Sequence, residues 1–156
     1  MSEIGDFLRA RYAERRAIAA AATPGLWRAE AYVYGLPEDG WGDPTHWEIK
    51  AGEVDVVAHQ PHEGGGIYEK TDALHIEANQ PEAVIVDLDA KLAIVDEHPA
   101  ATGWDGVNVD GTVCRTCGEI SSDGELTGGP YPCRTLRLLA QPFAGHPDHK
   151  GEEWAP

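Results

Sequence analysis

Three cysteines carry the most legible chemistry of this chain. They stand as Cys114-Arg115-Thr116-Cys117-Gly118 and, 16 positions beyond Cys117, as Cys133. Two thiols two residues apart can grip one tetrahedral ion from a tight turn, and a glycine behind the second lets the backbone fold back beneath it. The gap to Cys133 falls in the range that separates the halves of structural zinc sites. An odd number of thiols also forbids complete disulfide pairing within one chain. The polar neighbours Arg115, Thr116, Gly118 and Glu119 argue against three small buried core residues, the usual fate of free cysteines. The expected cofactor is therefore Zn2+, held by Cys114, Cys117 and Cys133.

Three sulfurs need a fourth donor, and imidazole is the usual one. His98 is the first candidate, with 15 residues between it and Cys114. Its ligation would tie the end of a long helix to the cysteine segment. His146 and His149, a short helix beyond Cys133, are the competitors.

Catalytic readings find less support. Zinc deaminases use His-x-Glu followed by Pro-Cys-x-x-Cys, the glutamate moving protons while the metal activates water. Here His75-Ile76-Glu77 precedes Cys114–Cys117, but Val113 replaces the proline and Gly118 stands where a helix should run. That pattern also leaves Cys133 without a role. His59 and His62 read as solvent-exposed loop histidines more readily than as ligands to a second ion. Gly64-Gly65-Gly66 lacks the Lys-Ser/Thr ending of a phosphate-binding loop, and no nucleophile elbow or dinucleotide fingerprint occurs.

The elements that must position these residues follow from periodicity and punctuation. Residues Ser2 to Ala22 read as a helix capped by Ser2, with Glu3 and Asp6 at its positive end. Ile4, Phe7, Leu8 and Ile18 share its apolar face with Arg11 and Arg15, whose stems should pack while their heads snorkel or pair with acidic neighbours. Thr23-Pro24-Gly25 stops it. Trp27, Ala29, Ala31 and Val33 alternate with Arg28, Glu30, Tyr32 and Tyr34, the period of a half-buried strand. A Gly/Pro/Asp-rich connection through Pro37, Gly40, Gly42 and Pro44 leads to strands near Trp47–Lys50 and Val54–His59. Asp72 is read as the cap of a short helix through Asn79. Pro81 opens a longer helix whose apolar stripe is Ile85, Leu88, Leu92 and Val95, packed on the sheet and ending at His98-Pro99. Pro132-Cys133 starts a last helix, where peptide N–H groups favour a thiolate. An extended tail follows, with Trp154 as anchor. The expected class is α+β: an N-terminal helix, a small antiparallel sheet of about three strands, a long helix and a zinc-stapled C-terminal lobe ending in a helix. The division expected is 1–98 for the α+β domain and 99–156 for the zinc lobe.

The charge bounds the partners. Lys plus Arg number 12 and Asp plus Glu 27, a formal net charge of −15. Such a balance repels phosphate backbones, whose affinity for proteins comes largely from Lys and Arg. Direct nucleic-acid binding is not expected. No segment approaches the roughly 20 apolar residues that span a bilayer, and the first residues do not read as a secretory signal. A cytosolic location is expected, where thiols stay reduced.

Two groups of residues carry a resemblance. Ala22-Thr23-Pro24-Gly25-Leu26-Trp27, the β-rich middle, Asp72-Ala73-Leu74-His75-Ile76 and Pro81-Glu82-Ala83-Val84 resemble phage accessory proteins, including Ead-like ones. Added to these are Ala90-Lys91, His98, Cys114, Cys117-Gly118 and Pro132-Cys133-Arg134-Thr135-Leu136. Ala140-Gln141-Pro142-Phe143-Ala144, His146-Pro147 and Glu152-Glu153-Trp154 complete the set. Together they are similar to a family of unknown function, numbered six-two-two-one, from actinobacteria and their phages. Leu26 stands where that family has a second proline, and Glu77-Ala78-Asn79-Gln80 departs from its usual run. The resemblance implies an intracellular accessory protein of phage or prophage origin, favours His98 as the fourth ligand, and implies no activity. The expected role is thus a non-enzymatic, zinc-stabilised protein that binds a host or phage protein through its acidic surface. The alternatives are an acidic mimic of DNA that blocks a nucleic-acid-binding protein, and a zinc-dependent, deaminase-like hydrolase.

Overall fold

The computed structural model describes residues 2–32, 46–52, 54–58, 67 and 69–156, with the backbone alone for 32 and 54–58. The expectations for Val33, the connection through Pro37 to Pro44, His59, His62 and Gly64–Gly66 lie outside the described residues. The architecture is mixed α+β. In chain order the elements are α1 (Glu3–Ala21), β1 (Trp27–Tyr32), β2 (His46–Ala51), β3 (Val54–Ala58), α2 (Lys70–Ala78) and α3 (Pro81–Glu97). Then come β4 (Ala100–Gly103), β5 (Gly111–Cys114), β6 (Glu119–Ile120), β7 (Leu126–Thr127) and α4 (Arg134–Ala140). Single 3₁₀ turns at Gln141–Phe143 and Gly151–Trp154 close the chain. Two compact units divide it, Arg16–Asp87 and Met1–Arg15 with Leu88–Pro156. No helix among the described residues is long and apolar enough to cross a membrane.

The Arg16–Asp87 unit is built on an antiparallel sheet of order β1-β2-β3. Trp27 lies opposite Ala51 and Tyr32 opposite His46, so Glu30 faces Glu48 directly. Like charges in that position repel, and Lys50 Nζ bridges them at 3.0 Å from Glu30 and 3.7 Å from Glu48. The outer edge of β1 is covered by side chains. Glu77 accepts the Ala29 N–H at 2.7 Å and Gln80 accepts the Trp27 N–H at 3.1 Å. Unpaired strand edges otherwise recruit foreign strands. Helix α2 begins after Glu69 and takes Asp72 into its first turn, so Asp72 is not its cap.

The other unit gathers its core around one face of α1. Ile4, Phe7, Leu8 and Tyr12 are buried there, with Leu88, Val95, Val113, Leu136, Phe143 and Trp154. Phe7 meets Phe143 edge-on at 6.0 Å and Trp154 at 5.1 Å, while the Tyr12 hydroxyl donates to the Leu139 carbonyl at 3.1 Å. Offset and edge-on aromatic pairs of this kind add about 0.5–1.5 kcal/mol beyond area burial. Arg11 behaves as read and pairs with Glu14 at 2.7 Å, whereas Arg15 lays its guanidinium 4.4 Å over the Phe143 ring. Two expectations are corrected. Ile18 is 74% exposed while Ala19, about 100° further round the helix, is buried. The buried line runs through Ile4, Leu8, Tyr12 and Ala19, so the apolar face turns away from Ile18. The C-terminal stretch is not extended: it closes in a 3₁₀ turn that buries Trp154.

Candidate metal centre

Four residues from three parts of the chain converge on one point. Helix α3 ends at Glu97, and the His98 N–H reaches back to the Val95 carbonyl at 3.2 Å, leaving the imidazole just past the helix terminus. Pro99 then turns the chain into β4. This strand pairs antiparallel with β5 from Ala100 opposite Cys114 to Gly103 opposite Gly111. The register sets His98 beside the turn that follows Cys114. Two bonds clamp it there: Arg115 N–H to the Pro99 carbonyl at 3.0 Å, and the Thr116 hydroxyl to the Glu97 carbonyl.

The turn itself is the glycine-ended loop expected from Cys114 to Gly118. The Gly118 N–H closes it on the Cys114 carbonyl at 2.9 Å. A β-carbon at Gly118 would stand 2.9 Å from the Thr127 carbonyl oxygen and 2.9 Å from a Leu126 methyl, so no larger residue fits without moving the β6–β7 hairpin. That hairpin brings the chain back past Trp104, whose N–H and carbonyl bond Leu126 and Gly128. Tyr131 N–H then joins the Thr112 carbonyl at 2.9 Å, which delivers Cys133 to the start of α4.

The distances define the site. His98 Nδ1 lies 3.4 Å from Cys114 Sγ, 3.4 Å from Cys117 Sγ and 3.6 Å from Cys133 Sγ. All four ligand atoms lie within 4.8 Å of one another. A tetrahedral zinc with bonds of ~2.0 Å to nitrogen and ~2.3 Å to sulfur would hold them ~3.6 Å apart. The donor set fits such an ion in kind, number and spacing. The three cysteines are free thiols; Cys114 and Cys133 are buried and Cys117 is exposed. Loss of solvent around its sulfur, then hydrogen bonds with Cys114 and Cys133, push the Cys117 thiol up to about 12. A divalent cation reverses that preference, because the thiolate is the form it binds. Three thiolates around a dication carry one net negative charge, and Arg134 and Arg137 line the adjoining cleft.

The other titratable residues singled out from sequence lie elsewhere. His146 meets the Arg11 guanidinium through Nε2, accepts the Asp148 N–H on Nδ1 at 3.2 Å and packs edge-on against Phe7. His149 accepts the Gly151 N–H at 3.0 Å and packs edge-on against both Phe7 and Trp154. Both are packing histidines outside the cluster. His75 sits on α2 beside Asn79, and Glu77 gives its carboxylate to the β1 backbone, so neither belongs to the cluster. Sequence reasoning missed the parts that aim the ligands: the two hairpins, the Thr116 clamp, and Tyr131, whose phenol meets the Ser2 hydroxyl at 2.6 Å. None carries a local signal, since strands of two to four residues show no alternation to read.

A profile described as a family of unknown function (DUF6221) matches residues 1–156. No curated protein and no solved structure matches the chain.

Proposed function

The chain belongs to this family over residues 1–156, and from that premise we propose that it is a zinc-stapled binding protein and not an enzyme. One observation carries the reading: the protein itself supplies four soft or borderline donors at tetrahedral spacing. Structural zinc sites are closed in this way, whereas catalytic ones keep a position open for water or substrate. The cation would join the end of α3, the turn after β5 and the start of α4, replacing the large apolar core that a segment of such short strands cannot build.

The binding surface is acidic. A formal charge of −15 favours fast, salt-sensitive association with a basic protein partner. The resemblance of the Pro81-Glu82-Ala83-Val84 segment to phage accessory proteins, and of the wider set with Pro132-Cys133-Arg134 to a family from actinobacteria and their phages, supports an intracellular accessory role in an actinobacterial host. Purification without added metal salts, followed by elemental analysis, tests the first part. One zinc per chain is expected; a folded, monomeric, metal-free protein overturns it. A pull-down from actinobacterial lysate at low and high salt tests the second. A specific basic partner held at low salt and shed at high salt is expected, and recovery of none at either salt overturns it.

A further inference from the structure

The connection between β4 and β5 closes where Gly103 faces Gly111. It holds Trp104, Val107 and Val109 at 45%, 85% and 75% exposure. Singly exposed apolar side chains are ordinary; three gathered at one hairpin tip are not. The tip is also fixed in shape. Asp105 accepts the Val107 and Asn108 N–H groups at 2.9 and 2.7 Å and the Asn108 side-chain amide at 3.2 Å. The Asp105 and Gly111 N–H groups return to the Asn108 carbonyl at 3.2 and 3.3 Å. Gly106 takes a φ of +96°, a conformation that side-chain-bearing residues rarely adopt. Trp104 is tied through its backbone to Leu126 and Gly128, each at 2.9 Å. Bonds within the loop thus fix valines that water surrounds, and a fixed apolar anchor loses little freedom on docking.

The surrounding charge states the chemistry of what docks. Between Trp104 and Thr127 stand five acids, Asp105, Asp110, Glu119, Asp123 and Glu125, and one base, Arg115. Asp110, Glu119, Asp123 and Glu125 are exposed. The hairpin that carries the last three is bonded to Trp104 through Leu126. Such a rim repels an anionic lipid surface or a second copy of this acidic chain, and it attracts Lys and Arg. We propose that the β4–β5 tip is the docking surface for a protein partner, with Val107 and Val109 entering an apolar pocket whose rim carries Lys and Arg. The inference rests on the reading of the chain as an acidic binding protein and locates the contact on it.

Photocrosslinking of the full chain tests the location. The photoreactive residue p-benzoylphenylalanine replaces Val107, Val109 or, as a control, Val86 of α3, which is 69% exposed. Each variant is irradiated in actinobacterial lysate. At low salt, positions 107 and 109 should trap the same protein and position 86 none; high salt should abolish the adducts. Separately, Val107→Ser combined with Val109→Ser should lower recovery of that protein by about tenfold. Zinc content and melting temperature should stay at their wild-type values, because both side chains are exposed. Equal adducts at all three positions, an adduct with lipid or with a second copy of this chain, adducts that survive high salt, or unchanged recovery by the double variant overturns the proposal. A partner that the wild type retains but neither tip position traps also overturns it, and leaves the acidic binding reading standing. A lysate from which the wild type retains nothing at either salt defeats both.

Discussion

Cys133 and His98 meet although 34 residues lie between them, and each donor is replaceable only at a cost to the whole cluster. An ion present at a thousandfold excess over its dissociation constant stabilises the folded chain by about 4 kcal/mol. For a chain of this size that corresponds to about 8–16 °C in Tm. Cys133→Ser, His98→Ala or removal of the ion by a chelator should each lower the melting temperature by that order and remove the bound zinc. His146→Ala should leave the zinc content unchanged, since its ring is spent on Arg11 and Phe7. Asp105 makes a separate prediction. It accepts the Asn108 N–H at 2.7 Å and the Val107 N–H at 2.9 Å, and these bonds hold its carboxyl below the ordinary value of 3.8. A depressed carboxylate contributes its stability above the unfolded value and loses it as pH falls through the folded one. The difference in melting temperature between the wild type and Asp105→Asn should therefore be constant above about pH 5 and shrink as the solution is acidified below pH 3.8.

Among the elements, the long ones announce themselves and the short ones do not. Helices α1 and α3 follow from caps, periodicity and the prolines that bound them; β1 follows from alternation, and two further strands from the β-rich segments beyond the Gly/Pro/Asp-rich connection. Strands β4 to β7 run to only two to four residues each, and they exist because each pairs with a neighbour from elsewhere in the chain. Their close approach is tested at glycine. A β-carbon at Gly103 would lie 2.4 Å from the Leu126 carbonyl oxygen, a backbone atom with no freedom to rotate away. Gly103→Ala should cost about 1–3 kcal/mol, the range for overpacking. Gly129→Ala, where nothing lies within 4 Å, should stay within about 0.5 kcal/mol of the wild type. Urea midpoints at constant slope measure both.

At the scale of the molecule, charge acts against compactness. A net charge of −15 repels itself through water and interior alike, and added salt screens it over about 10 Å at 0.1 M. The zinc-loaded protein should therefore melt at a higher temperature in 0.15 M salt than in 0.01 M. A melting temperature that falls with salt would mean that ion pairs such as Lys150 to Glu3 at 2.5 Å outweigh the net repulsion. The first 15 residues belong to the same compact unit as the C-terminal segment, a grouping that no local pattern announces.

The amino-acid order by itself determined the mixed α+β class, the two long helices, the three-stranded sheet and the tight Cys114–Gly118 turn. The helices, the individual strands and the turn are properties of neighbours a few residues apart, where spacing, propensity and the demands of proline and glycine act directly, although the strand pairing itself joins residues as distant as Trp27 and Ala51. Only the tertiary structure decided which histidine stands beside the sulfurs, that Ile18 is left outside, and that Glu77 serves a strand edge. Those outcomes depend on distant segments closing on one another. Several histidines and carboxylates are chemically equal to such tasks, and packing alone chooses among them.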